Sequence, residues 1–150
     1  MIEARLQAAP FDAGAELARL DALGGGGVAS FTGIVRGDGG LTELYLEHHP
    51  GMTEAAMRAM AGEAARRWPL LGAIVIHRHG ALRPGDGIVL VGTASAHRAA
   101  ALESCAYLID LLKTEAPFWK RETFADGSTR WVEPRAIDDA AAARWRERAG

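Results

Sequence analysis

The sequence has 150 residues and a formal net charge of −2, with 17 Lys and Arg against 19 Asp and Glu. This length suits one hydrophobic core, so we expect a single domain over residues 1–150, and the balanced charge provides no global field for nucleic acid or an anionic membrane. Cys105 is the only cysteine, which excludes an intrachain disulfide and a multi-cysteine zinc site. We expect a soluble, cytoplasmic protein, because the start lacks the apolar core of a signal peptide and no run reaches the ~18 apolar residues of a membrane span.

The first half of the chain predicts two helices with a strand hairpin between them. A short helix with leucines at helical spacing ends at the glycines 24–27. These glycines lack the spacing of phosphate-binding loops and precede a strand, so a flexible connector is favoured over a phosphate cradle. Residues 28–36 and 41–49 indicate two strands joined as a hairpin, and a second helix is predicted from a Thr53 cap to Trp68.

The second half predicts two more strand pairs around the longest helix. The predicted elements are strands over 73–80 and 87–95, a helix over roughly 96–114 capped by Ser95, strands over 117–122 and 129–133, and a helix over 136–148. The longest helix carries an apolar stripe of Leu102, Cys105, Ile109 and Leu112. Because strands come in adjacent pairs with helices between the pairs, the chain is predicted to be α+β with antiparallel hairpins.

Three cations stand where anions are commonly bound. His97 and Arg98 fall in the first turn of the longest helix, where free N–H groups and two basic side chains would form a receptor for phosphate or carboxylate. The alternative is that both side chains lean over solvent. Arg36 ends a strand at a loop, where an arginine binds an anion or is simply hydrated.

Two lysines seven residues apart flank a turn with a proline and an aromatic residue. Lys113 falls in the last turn of the helix, where an ordinary capping charge is also favoured. Lys120 follows Pro117 in a strand, on one face with Phe118 and Glu122. An amine beside aromatic rings is partly desolvated, which lowers its pKa from ~10.4 and suits a proton donor, an anion holder or a nucleophile. Spacing alone leaves a functional pair and two surface cations open.

The histidines do not predict a metal site. His48 and His49 are adjacent, and His77 and His79 share one face of a strand, but no acidic or cysteine partner is close in sequence. Structural or solvent-facing histidines are therefore favoured over zinc ligands. No GxSxG element or Cys-His signature occurs, which argues against serine or thiol hydrolysis.

Seven stretches carry a resemblance to a known family. In chain order they are "FTGIVR", "LEHHPGMTE", "RWPL", "VIHRHGALRPGD", "VGTASAHR", "LKTEAPFWKRE" and "RWVE". Over residues 28–135 this order resembles the large, catalytic subunit of molybdopterin synthase, the MoaE family. The resemblance implies an α/β-hammerhead fold with antiparallel strand pairs and flanking helices. It also implies a homodimer with a small ubiquitin-like sulfur carrier at each end, which makes a heterotetramer.

The activity implied by the resemblance is sulfur transfer in molybdenum cofactor biosynthesis. The carrier's C-terminal Gly-Gly thiocarboxylate enters the active site, and two transfers convert cyclic pyranopterin monophosphate, precursor Z, into the dithiolene of molybdopterin. No metal or cofactor is implied. The sequence ends in "RERAG" rather than Gly-Gly, so we expect the carrier to be a separate polypeptide.

The resemblance also assigns roles to residues. Lys113, in "LKT", takes the place of the essential active-site amine, which assists transfer at the carrier's terminal carbonyl, and Lys120 supports it by holding substrate or the departing carboxylate. The implied substrate-binding residues are His97 and Arg98 for the phosphate, Arg36 in the pocket, Phe31 and Glu122 near it, and Arg135 reaching the neighbouring subunit's site. The glycine-rich loop 37–40 is shorter than the family's, so no contacts are assigned to it.

Two other functions compete with this interpretation. The first is a non-catalytic module whose basic pocket docks a carrier tail or a phosphorylated ligand. The second is an acyl- or amide-forming enzyme that uses a lysine amine with an adenylated partner, although the sequence shows no ATP site.

Overall fold

The computed structural model describes residues 1–132 and 136–147. In chain order the elements are β1 (Ile2–Gln7), α1 (Ala13–Asp21), β2 (Gly27–Ile34), a 3₁₀ turn (Asp38–Gly40), β3 (Leu41–His48), α2 (Met52–Arg67), β4 (Leu70–Arg78), β5 (Gly80–Leu82), β6 (Gly87–Ser95), α3 (Arg98–Thr114), β7 (Phe118–Phe124), β8 (Thr129–Trp131) and α4 (Ala136–Glu147). Sheet A has the strand order β1-β4-β6-β2, and sheet B has the order β5-β3-β7-β8. The predicted α+β class is confirmed. Within the described ranges, no helix has the length and apolar character needed to cross a bilayer.

One predicted hairpin is wrong. β2 pairs with β6, whereas β3 pairs with β5 and β7, so β2 and β3 belong to different sheets. After β2 the backbone N–H of Val35 donates to the carbonyl of Asp86, and Val35 accepts from the N–H of Gly85. These bonds tie the end of β2 to the turn before β6, which directs the following loop into sheet B. The other two predicted pairs, β4 with β6 and β7 with β8, are confirmed.

The strand β1 was not predicted. It pairs in parallel with β4, from Ile2 opposite Ala73 to Gln7 opposite Arg78, in sheets that are otherwise antiparallel. The alternation of the apolar residues Ile2, Ala4 and Leu6 is nevertheless a sequence pattern that indicates a strand.

The start of α2 differs from the prediction in its cap. Gly51 holds the N-cap position with φ 82°, and Thr53 lies inside the helix, fully buried. The Thr53 hydroxyl accepts a hydrogen bond from the N–H of His49 at 2.9 Å and donates to the carbonyl of Pro117 at 2.7 Å. Thr53 therefore joins α2 to the turn that precedes β7.

The start of α3 also differs. His97 is the N-cap residue, whereas the predicted cap Ser95 lies in β6 and donates its hydroxyl to the carbonyl of Pro69 at 2.8 Å. Of the predicted apolar stripe, Cys105 and Leu112 are buried and Ile109 is partly buried, whereas Leu102 is 60% exposed. The predicted stripe therefore departs from the buried face of the helix at Leu102.

The alternation of β4 divides the core of sheet A. Ala73 and Val75 pack with α2 and α3 on one face, and Ile74 and Ile76 pack with Leu20 of α1 on the other. The helix α3 lies along the first face and ends beside sheet B. The C-terminal end of α3 therefore meets β7 at the junction of the two sheets.

Candidate active site

A cavity of about 510 Å³ lies at this junction, between the end of α3, the end of β2 and the start of β7. Its wall is mostly apolar. The polar side chains on the wall are Thr32, Arg36, His77, Lys113 and Lys120. In the part of the chain that the structure describes, no carboxylate lines this cavity. Three cations on a mostly apolar wall suit an anionic ligand such as a phosphate or a carboxylate.

Lys113 and Lys120 are the only lysines in the sequence, and the other 15 of the 17 basic residues are arginines. An arginine stays charged at every physiological pH, whereas the pKa of a lysine responds to burial. Both amines meet in one cavity, although seven residues separate them. The scarcity of lysine in the composition already distinguishes these two residues from the other basic side chains.

Lys120 lies on the same face of β7 as Phe118, as the alternation predicts, while Trp119 points away and is 50% exposed. Burial lowers the pKa of Lys120, and repulsion from the ammonium group of Lys113 lowers it further, partly opposed by Asp138 and Glu122. The shift brings this amine closer to its neutral form, which a proton carrier or nucleophile requires.

Two side chains hold the turn between the lysines. The hydroxyl of Thr53 donates to the carbonyl of Pro117, and the ring of His77 stacks on Phe118 with centroids 3.9 Å apart and an interplanar angle of 23°. Neither residue was predicted from the sequence to belong to the site. Both contacts join residues more than 40 positions apart, which spacing and periodicity do not reveal.

The remaining predicted residues are placed in three ways. Phe31 and Arg36 line the cavity, and the guanidinium of Arg36 also pairs with exposed Asp38 at 3.2 Å. Glu122 lies instead in an adjoining groove of about 400 Å³, where it accepts a hydrogen bond from Arg130 at 2.9 Å. Arg135 lies outside the described residues.

His97 and Arg98 are not brought to the cavity within one chain. They lie at the start of α3 and Lys113 lies in its last turn, so about 24 Å of helix separates them at 1.5 Å per residue. Both stand beside Gly27 at the start of β2, where a Cβ would lie 3.3 Å from the Cα of Arg98. Within one chain, the two ends of α3 therefore do not contribute to the same pocket.

Cys105 is not placed for chemistry. Its side chain is 5% exposed and burial raises the pKa of its thiol to about 11. The described residues include no cluster of three or more histidine, cysteine or acidic side chains placed to hold a metal ion.

Comparison with known proteins gives one consistent family. The family model described as MoaE protein matches residues 6–115. The molybdopterin synthase catalytic subunit of Pseudomonas aeruginosa is 53% identical over 148 residues, covering 95% of this chain and 98% of the relative. The protein of the same name from Escherichia coli is 53% identical over 124 residues, covering 80% of this chain and 81% of the relative.

Solved structures agree with the sequence matches. The molybdopterin biosynthesis MoaE protein from Burkholderia ambifaria matches with a TM-score of 0.82 at 49% identity, covering 97% of this chain and 98% of that one. Molybdopterin synthase from Staphylococcus aureus matches with a TM-score of 0.76 at 28% identity, covering 87% and 96%. Together the fold and the relatives define a catalytic subunit, an enzyme of molybdenum cofactor biosynthesis. The chain belongs to the MoaE family, so the resemblance found in the sequence and the hammerhead fold it implies are confirmed.

Proposed function

We propose that this protein is the cytoplasmic sulfurtransferase that converts cyclic pyranopterin monophosphate into molybdopterin. The sulfur comes from the C-terminal thiocarboxylate of a small ubiquitin-like carrier that docks on this chain. The observation that carries the proposal is that the two lysines, the only ones in the sequence, line one cavity, and that no carboxylate of the described residues lines it. The relatives in Pseudomonas aeruginosa and Escherichia coli bear the name of this enzyme's catalytic subunit.

The two lysines divide the chemistry in this proposal. The exposed amine of Lys113 meets the terminal carbonyl of the carrier and stabilises negative charge on its oxygen during transfer. Lys120 has the lowered pKa and holds the substrate or the departing carboxylate. The adjoining groove, which shares Ile34, Arg36 and Ile88 with the cavity, supplies a route by which a narrow Gly-Gly tail reaches these amines.

A homodimer completes the site in this proposal. β2 is an edge strand of sheet A, and three of the large apolar side chains exposed in the described ranges lie on it, namely Val28, Phe31 and Ile34. Its eight residues span about 26 Å, which matches the distance from the start of α3 to the cavity. Antiparallel pairing of β2 with a second copy would place the second copy's His97 and Arg98 beside the cavity, where they bind the phosphate.

Reconstitution tests the proposal. The purified chain, thiocarboxylated carrier and cyclic pyranopterin monophosphate are mixed, and mass spectrometry follows sulfur from the carrier to the pterin. We expect dithiolene in the full mixture and none from the chain alone. Lys113→Ala should abolish turnover while carrier binding is retained, because the amine acts on the bound tail. Absence of dithiolene from the full mixture would reject sulfur transfer, and unchanged turnover in Lys113→Ala would reject the assigned role.

A further inference from the structure

A buried histidine stands on the wall of the cavity. His77 continues the row of Ala73 and Val75 on the face of β4 that packs against α2 and α3. Ala73 and Val75, which precede it in this row, are fully buried, and His77 itself is 7% exposed. A polar side chain in a row that is otherwise apolar carries a desolvation cost, so its polar atoms need partners.

The protonation of the His77 ring is fixed by its surroundings. Its Nδ1 atom lies 2.8 Å from the carbonyl oxygen of Arg78. A carbonyl oxygen only accepts hydrogen bonds, so Nδ1 carries the proton and Nε2 keeps its lone pair. Stacking on Phe118 fixes the plane of the ring. Among the described residues, no group donates a hydrogen bond to Nε2.

The lone pair of His77 differs from the other polar groups of the wall. Arg36, Lys113 and Lys120 present donors in their charged forms, and the hydroxyl of Thr32 both donates and accepts. Of the side chains that line the cavity in the described ranges, His77 is the one that offers an acceptor and no free donor. The cations serve the phosphate and carbonyl oxygens of a ligand, and its N–H groups are left to His77 and to the hydroxyl of Thr32.

We propose that Nε2 of His77 accepts a hydrogen bond from an N–H group of the pterin ring system and thereby determines which way the ring lies in the cavity. The assignment rests on the proposed function, because a reduced pterin brings ring N–H groups and an amino group together with a phosphate. Burial and the nearby ammonium groups of Lys120 and Lys113 lower the pKa of His77 to about 4, so the ring stays neutral at physiological pH. His77 is a binding and orienting residue, and it transfers no proton.

Two variants separate the acceptor from the stack. His77→Phe keeps an aromatic ring against Phe118 and removes the lone pair. His77→Gln loses the stack and places an amide oxygen near the position of Nε2. His79→Phe is the matched control, because it removes an imidazole two residues further along the chain, whose ring contacts His48 and does not line the cavity.

The test measures the Kd of cyclic pyranopterin monophosphate by calorimetry, with the carrier in its carboxylate form so that no turnover occurs. We expect His77→Phe to weaken binding about 3- to 10-fold, the effect of one hydrogen bond. His77→Gln should recover most of this loss, and His79→Phe should bind like wild type.

Two results would overturn the inference. The first is a wild-type Kd in His77→Phe. The second is an equal loss of binding in His77→Phe and His77→Gln accompanied by equal falls in Tm, which would make the role of His77 structural. A wild-type protein that neither binds the pterin nor produces dithiolene with thiocarboxylated carrier would overturn the proposed function itself. If wild type turns over normally and His77→Phe binds the pterin with the wild-type Kd, only this inference is overturned and the proposed function stands.

Discussion

The hydrogen bond from Thr53 to Pro117 should control the separation of the two lysines. Thr53→Val keeps the shape of the side chain and removes a hydroxyl that makes bonds of 2.9 and 2.7 Å. The backbone groups of His49 and Pro117 then lose their partner in a site where Thr53 itself is fully buried. Loss of one buried partner costs about 1–3 kcal/mol of unfolding free energy. For a chain of this size, a loss of about 2 kcal/mol lowers Tm by about 4–8 °C.

The same substitution should reduce turnover. Pro117 precedes Phe118 and Lys120 directly, so a released turn lets β7 shift relative to α3. A displacement of about 1 Å at a catalytic group lowers the rate by up to about 100-fold. We therefore expect kcat in the reconstituted reaction to fall by about 10- to 100-fold at a temperature where the variant is folded.

The matched control is Thr93→Val. Thr93 is also fully buried, and its hydroxyl donates to the carbonyl of Ala101 at 2.7 Å, away from the turn between the lysines. Thermal unfolding at one protein concentration and kcat are measured for both variants. Both should lose stability, and Thr53→Val alone should lose kcat. Equal kcat values in the two variants would refute the argument that Thr53 positions Lys120.

Three further predictions concern titrating groups. Lys113→Met should raise the pKa of Lys120 toward its usual range, because repulsion from the Lys113 ammonium group is one cause of the lowered pKa. NMR of ¹³C-methylated amines can follow this titration, since the sequence contains only these two lysines. An unchanged pKa of Lys120 in the variant would contradict the electrostatic interaction between the two amines. The pKa of His77 falls from 6.5 to about 4 on folding, so the unfolded state binds more protons than the folded state between these pH values. The free energy of unfolding should therefore drop by up to about 3 kcal/mol as the pH falls through this window. Urea unfolding across pH should show this component in wild type and lack it in His77→Phe, and identical pH dependence in both would count against a buried neutral ring. Cys105, whose pKa is raised to about 11 by burial, should react with a thiol reagent only as the chain unfolds in urea, whereas rapid labelling of the native protein would show that the thiol is accessible.

The sequence by itself determined the types of most elements and the local setting of the lysines. Period-2 and helical patterns identified the strands β4, β6 and β7 and the three longer helices, because these patterns depend on neighbours within a few residues. The same local geometry placed Lys113 in the last helical turn and put Lys120 on the face of β7 that carries Phe118. Short motifs of the MoaE family could also be recognised in the sequence, because the residues of each motif lie close together in the chain.

Only the tertiary structure decided which distant residues meet. Alternation in β2 and β3 fixes the face that is buried but not the partner strand, and the two strands lie in different sheets. The length of α3 separates His97 from Lys113 within one chain, although both belong to motifs of the same family. The hydrogen bond from Thr53 to Pro117 and the stacking of His77 on Phe118 each join residues more than 40 positions apart in the sequence. Such contacts follow from the packing of sheets and helices rather than from any local pattern.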